Sequence, residues 1–423
     1  MINKLKGYLN TSYTAFHAVD NAEKLLKENG FICISEKNEW QIEKGGKYYF
    51  VRNGSALVAF KIGSGDYFKI VGSHVDSPAL KIKENPLIKE NGYVKLNVEK
   101  YGGAILYTFF DRPLKVAGRV VIKKDGAFIT KNVVSDYELI IPSQAIHINR
   151  SVNDGMTINA QTDMCPVFDV CDSDGKYDFY KTLTNEEVLG ADLYLVNAEE
   201  CRTVGASGKL ISAPRVDNLT SAFASIEALV GAENDVGINI AALFNSEEIG
   251  NSTAEGAESD MLENTMKRIA YALGISDQGY FAMLARSFLL SVDVAHAVHP
   301  NHPEKSDPTN KPELGKGVVI KFNAGGSYVT DAVSGAIIKN ILKKADVPYQ
   351  TFHARADMPC GSTLGRSFVC RTGMLACDIG IPQLAMHSAY ETFAKFDFES
   401  LYKGINTFYR NNITVKDIKT DLK

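Results

Sequence analysis

No CxxC pair occurs among the seven cysteines, Cys33, Cys165, Cys171, Cys201, Cys360, Cys370 and Cys377. An odd set of scattered thiols makes neither a disulfide framework nor a thiolate zinc site. The expectation is reduced, mostly buried cysteines in a cytoplasmic protein. No stretch reaches the roughly 18 apolar residues of a membrane span. The opening MINKLKGYLNTSYTAFHAV also lacks the apolar core and small-residue cleavage site of a secretory signal. HExxH and GxSxG are both missing, which removes the helical zinc-protease and α/β-hydrolase patterns. Neither GGA at 102 nor AGGS at 324 is followed by GK[ST] or set in GxGxxG, so they read as turns and not as a phosphate cradle. A net charge of −4 is too small to draw nucleic acid. Internal repeats and low-complexity tracts are absent. What remains is a globular protein with a small substrate, no nucleic acid and no membrane.

With 423 residues the chain is long enough for two domains. AFHAVDNAEKLLKENGF places Val19, Ala22, Leu25 and Leu26 at helical spacing, with Gly30 where a helix end favours a left-handed residue. KYYFV, SALVAFKIG and YFKIVGS read as strands, the first two joined by an Asn53–Gly54 hairpin. From about 84 to 212 the texture is β-rich, with alternation in YVKLNVE and a second hairpin at Asp125–Gly126. After 213, helical patterns in LTSAFASIEALVGA and SGAIIKNILKKA alternate with the apolar strands INIAALFN, FLLSVDV, GVVIKFN and PQLAM. The simplest organisation is a discontinuous α/β catalytic domain, 1–83 and 213–423, carrying an inserted β-rich domain at 84–212.

Chemistry gathers at strand ends. KIVGS runs into His74 and Asp76, IAALFNS into Glu247 and Glu248, FLLSV into Asp293 and PQLAM into His387. In open α/β sheets ligands collect at that edge, where strand ends and helix N-termini converge. Asp217 stands just before an amphipathic helix and can reach the same place. Imidazole and carboxylate without thiolate suit Zn²⁺, Co²⁺ or Mn²⁺, and a shared carboxylate, for which Asp217 is the choice, could bridge two ions about 3.5–4 Å apart. Continuing the strand through His74-x-Asp76 puts both side chains on one face, so that Asp76 accepts the second ring N–H of His74. Of the adjacent pair, Glu248 would bind metal while Glu247 holds a water as general base. Each piece alone is uninformative, since carboxylate pairs are usually solvated; the five ligand candidates together are not.

His296, His299 and His302 in HAVHPNH imitate a helical metal site, but Pro300 and Pro303 forbid a regular helix, so they are expected in a loop lining a cleft. The stripe Ile337, Ile338, Ile341 and Leu342 is core.

FHAV at 16, GSHVDSPALKIK at 72, YGGA with FFDRPLKVAGRV at 101, IPSQAIHINR at 141, APRVDN at 213, NSEEIGN at 245, DVAHAVHPNHPEK at 293, DMPCGST at 357 and PQLAMHS at 382 together resemble the aspartyl aminopeptidase family, nearly end to end and in family order. That family includes the vacuolar aminopeptidases and belongs with the two-zinc exopeptidases of α/β fold. The resemblance implies one ion on His74, Asp217 and Asp293 and another on Asp217, Glu248 and His387, with Glu247 as base and Asp76 orienting His74. It implies that His147 reaches a neighbouring subunit's site and that Lys321 faces an acidic substrate side chain. Family members form tetrahedral dodecamers of dimers, so a homo-oligomer follows by resemblance.

The expected activity is removal of N-terminal Asp or Glu from peptides, through a water bridging the ions and deprotonated by Glu247. A two-metal hydrolase of another class, carboxypeptidase or deacylase, is the rival reading, ahead of a non-catalytic assembly protein.

Overall fold

The computed structural model describes residues 1–63, 65–171, 177–233 and 236–412. Two helices open the chain, α1 (Ile2–Thr11) and α2 (Ala15–Glu28). In α2 the residues Ala18, Val19, Ala22 and Leu26 recur at helical spacing and are buried, and Gly30 just beyond has φ +76°. The strands β1 (Ile32–Cys33), β2 (Lys47–Arg52), β3 (Ala56–Ile62) and β4 (Phe68–His74) follow. Asn53 and Gly54, with φ of 49° and 68°, turn β2 back antiparallel on β3 as the sequence predicts.

The middle of the chain builds a six-stranded antiparallel sheet from β5 (Ala79–Glu90), β6 (Tyr93–Tyr101), β7 (Leu114–Lys124), β8 (Ala127–Val134), the short helix α3 (Ala160–Asp163) with β9 (Val167–Val170), and β10 (Val188–Asn197). Its order is β8-β7-β10-β5-β6-β9. Its apolar side is a core of its own around Leu80, Leu96, Val116 and Leu195.

Next come β11 (Arg202–Val204), β12 (Leu210–Ala213), α4 (Val216–Gly231), β13 (Ile238–Phe244), α5 (Met261–Ala272), α6 (Asp277–Arg286), β14 (Phe288–Val292) and β15 (Ala295–His296). The last part holds β16 (Val318–Lys321), α7 (Ala332–Lys344), β17 (Tyr349–Phe352), α8 (Leu364–Thr372), β18 (Leu375–Gly380), β19 (Pro382–Leu384), β20 (Glu391–Ala394) and α9 (Lys395–Arg410).

Nine strands make one mixed sheet, β1-β2-β3-β13-β4-β14-β18-β16-β17, with β13, β4, β14 and β18 parallel at its centre. β3, β4, β13 and β14 are buried along their whole length, as strands covered on both faces must be. Alternate side chains serve opposite layers. Leu57 and Ala59 pack with α1, α2, α4, α7 and α9, while Val58 and Phe60 pack with α5, α6 and α8. Two strand lysines are buried too: Lys61 donates to Val230 O and Ala232 O at the end of α4, and Lys69 to Asn411 O just past α9. Both place an amine donor against the free carbonyls of a helix C-terminus.

Two expectations need correction. PQLAM is not a strand of the main sheet; it supplies β19 to a separate five-stranded sheet, β11-β12-β20-β19-β15, and β18 is the neighbouring main-sheet strand. The two apolar runs adjoin, and periodicity does not say which sheet a run joins. Nor are the cysteines mostly buried. All seven are free, but only Cys165, Cys201 and Cys377 are buried, whereas Cys33, Cys171 and Cys370 are exposed, the first on the edge strand β1. Among the described residues no helix is long and apolar enough to cross a membrane.

Candidate metal centre

The parallel strands β13, β4 and β14 are neighbours, so their carboxyl ends open on one edge. β4 ends on His74, which is level with Phe244, the last residue of β13. The turn that follows, with Ser246 at φ 67°, therefore brings Glu247 and Glu248 out beside His74. Asp293 follows β14 directly, and Gly380 of β18 leaves room for it: a Cβ there would stand 1.8 Å from the Asp293 carbonyl oxygen. Asp217 comes from the first turn of α4 and His387 from beyond β19, at φ 66°. Left-handed non-glycine residues at Ser246 and His387 are strained backbone of the kind that collects at functional sites.

Six sequence-predicted residues thus converge. His74 Nε2 lies 3.4 Å from Asp217 Oδ1 and 3.6 Å from Asp293 Oδ1. His387 Nε2 lies 3.5 Å from Asp217 Oδ2 and 3.5 Å from Glu248 Oε2. One ligand atom each of His74, Asp217 and Glu248 lie within 4.8 Å of one another. Asp76 differs in detail from the expectation. β4 stops at His74, so the alternation does not carry on, and the Asp76 backbone oxygen meets His74 Nδ1 at 3.1 Å with the carboxylate at 3.4 Å. That carboxylate instead accepts the backbone N–H groups of Glu247 and Glu248, at 3.2 and 3.1 Å, and the Tyr101 hydroxyl at 2.9 Å.

Lys321 is 1% exposed; its Nζ donates to Val294 O at 2.7 Å and stands 3.5 Å from Asp293 Oδ2. His147 is apart from the cluster, exposed on a segment that is exposed almost throughout. His296 and His299 line a cleft of about 350 Å³ beside the cluster, walled also by Tyr328, Phe352 and Met386. His302 does not; it pairs with Glu304 at 3.2 Å.

The electrostatics follow from five acidic side chains in little water. Burial pushes the Glu247 carboxyl up to about 8, with Asp293, Asp76 and Asp217 adding to the rise and His74 opposing it. Burial and Asp217 likewise raise Glu248. Burial works against a charged His74 ring, but contacts with Asp217, Asp293 and Asp76 outweigh it and raise its pKa. Asp293 goes the other way, down to about 2: burial would raise it, and Lys321 and His74 win.

Three features were not singled out from the sequence. Glu391, buried behind the cluster, accepts the backbone N–H groups of Asp217 and His387. The GGA piece is more than a turn: a Cβ on Gly102 would stand 3.0 Å from Glu248 Cβ and one on Gly103 would stand 3.3 Å from His387 Nδ1. Gly103 O also meets that nitrogen at 3.1 Å. The third is the Lys321–Asp293 pair. A glycine pair is a cue to close approach, but not to what approaches.

Among the described residues Asp217 Oδ1 and Glu248 Oε1 are buried oxygens that accept no hydrogen bond. Acceptors left so are costly unless a cation satisfies them, and the imidazole–carboxylate set is the one zinc takes. A buried set of this kind at the strand ends of an α/β sheet is a candidate metal centre. Residues 8–409 match the family described as Aminopeptidase I zinc metalloprotease (M18). The chain belongs to that family of zinc-dependent aminopeptidases, hydrolases that remove residues from peptide N-termini.

The "Probable M18 family aminopeptidase 2" of Clostridium novyi (strain NT) is 41% identical over 423 residues, 96% of this chain and 98% of that one. Aspartyl aminopeptidase 1 of Schizosaccharomyces pombe is 36% identical, over 96% of this chain and 93% of that one. A chain of the Ape4 and Nbr1 complex superposes with a TM-score of 0.91 at 35% identity, covering 97% of this chain and 85% of that one. The S. cerevesiae mApe1 dodecamer does so at 0.83 and 26% identity, over 97% of this chain and 96% of its own.

Proposed function

We propose that this aminopeptidase holds two zinc ions, one among His74, Asp217 and Asp293 and the other among Asp217, Glu248 and His387, and that it prefers acidic N-terminal residues. The observation that carries the two-ion reading is the division of Asp217, whose Oδ1 faces His74 while Oδ2 faces His387. Bound there, the ions would polarise the scissile carbonyl and make water acidic enough to lose a proton near neutrality.

The chain's own residues do the rest. Glu247 takes a proton from the attacking water and returns it to the leaving amine nitrogen. A carboxyl at about 8 would hold its proton too tightly; cations held among the neighbouring carboxylates would lower it toward the working pH. Asp76 fixes the Glu247–Glu248 turn through two N–H bonds. The substrate's free amine is received among the carboxylates, which restricts cleavage to the first residue.

The acidic preference rests on Lys321 and on the S. pombe relative being an aspartyl aminopeptidase. An ammonium has three donors, and contacts with Val294 O and Asp293 engage two of them. The third would face the substrate carboxylate.

A homo-oligomer, as in the S. cerevesiae dodecamer, is proposed with residues 84–212 as an inserted domain making contacts and His147 entering a neighbouring copy's site. Ile146 and Ile148, 48% and 78% exposed on either side of His147, support a covered surface there. The seven free thiols support a cytoplasmic setting.

The test is release of the N-terminal residue from free-amine Asp-, Glu- and Leu-peptides by protein loaded with Zn²⁺, Co²⁺ or Mn²⁺, beside an EDTA-treated sample. Metal-dependent cleavage favouring Asp and Glu is expected. A Leu preference would keep the mechanism and overturn the Lys321 role.

A further inference from the structure

Asp217 and His387 reach the cluster from segments far apart in the chain, and one buried side chain ties them together. Glu391 opens β20, paired with Ala213 at the end of β12, and is 2% exposed. Its Oε2 accepts the backbone N–H of Asp217 at 3.0 Å. Its Oε1 accepts the backbone N–H of His387 at 2.8 Å and the Gln383 amide at 3.3 Å. Among the described residues no lysine, arginine or histidine forms an ion pair with it.

A buried carboxylate is retained only where hydrogen bonds offset its lost hydration. Here those bonds come from Asp217, from His387 and from Gln383, a glutamine that also lines the cleft. The backbone being held is strained at both ends, with φ 57° at Arg215 and 66° at His387, and such conformations persist only where the surroundings fix them.

We propose that Glu391 is a positioning residue for the second ion: one carboxylate clamps the backbone of Asp217 to that of His387 and so sets the spacing of the donors they carry. The proposal rests on the two-ion reading above. Without the clamp, α4 and the β19–β20 connection still pack, but the two side chains no longer share a fixed separation.

Zinc is titrated against a chromophoric chelator in full-length wild type, Glu391→Gln, Glu391→Asp and, as a reference for the ion on His387, His387→Ala. Circular dichroism and thermal unfolding are followed on the same samples. Gln keeps the size and one acceptor but turns an NH2 group toward a backbone N–H; Asp keeps the charge one methylene short. In Glu391→Gln the ion lost from His387→Ala should weaken about 10–100-fold, the usual cost of removing an outer partner. The other ion should change far less, Asp should fall between, and added zinc should restore Glu391→Gln activity. Equal weakening of both ions, unchanged affinity, activity that zinc does not restore, or loss of fold in both variants would overturn the positioning role. Failure of the underlying reading shows separately, as wild type saturating with a single ion per chain.

Discussion

Asp217 Oδ2 stands 3.5 Å from His387 Nε2, while the other oxygen of the same carboxylate stands 3.4 Å from His74 Nε2. A carboxylate so divided belongs to both halves of the cluster. Asp217→Asn should therefore deplete both ions, whereas His387→Ala should deplete only one. Each loss should exceed the roughly 10–100-fold that outer partners cost. Metal analysis of dialysed, folded protein checks this, and equal occupancy in the two variants would refute the bridging role.

On the proposed mechanism Glu247 serves the reaction and not the ions. Glu247→Gln should retain fold and zinc content while kcat drops about 10²–10⁴-fold, the range of general acid–base catalysis. KM should change little. Steady-state kinetics on an Asp-peptide, with zinc measured in parallel, decides the matter; a variant that loses its metal would move Glu247 among the ligands.

Lys321 stands 3.5 Å from Asp293 Oδ2, and on the proposed function it also serves the substrate. A charge-assisted hydrogen bond contributes about 1.5–3 kcal/mol, or about 10–100-fold. Lys321→Met should lower the ratio of kcat/KM for Asp- over Leu-peptides by that factor at saturating zinc. A ratio that stays put while zinc binding weakens would leave Lys321 serving Asp293 alone.

Asp397, at the start of α9, is wholly buried, and burial raises its carboxyl to about 6 against the N–H bonds from Gly315 and Gly317. Between the ordinary value near 4 and about 6, the folded chain keeps this proton and the unfolded chain releases it. Stability from this group is therefore complete at low pH and falls as pH rises through about 6, by roughly 3 kcal/mol. The unfolding temperature of Asp397→Asn should lack this fall, so wild type should lose ground to the variant from pH 4 to pH 7. Parallel profiles would contradict the shift.

The parts of the fold legible in the sequence are those set by local pattern. Continuous apolar runs marked β3, β4, β13 and β14 because both faces are covered, and Asn53–Gly54 and Asp125–Gly126 marked hairpins because few other pairs take positive φ twice. Strand ends are functional edges, so His74, Glu248 and Asp293 could be named as neighbours. What a pattern cannot carry is partner choice. α1 buries Leu5, Tyr8 and Leu9 in one short helix, too few apolar positions to mark a helix by period alone. Asp76 escaped the two-residue period because β4 ends before it, and Glu391 sits in YETFAKF, where a buried clamp and a solvated glutamate look alike.

Tyr101 ends β6, and with Gly102 and Gly103 it places the rim of the six-stranded sheet against Asp76, Glu248 and His387. The donor set is in this sense geared to that sheet: a tilt against the nine-stranded one would move Gly103 O, and with it the ring it touches. Pressure on the outer face of the smaller sheet would reach the donor set through this rim, by way of Tyr101, Gly102 and Gly103. The smaller sheet is a handle on the reaction as well as a wall beside it.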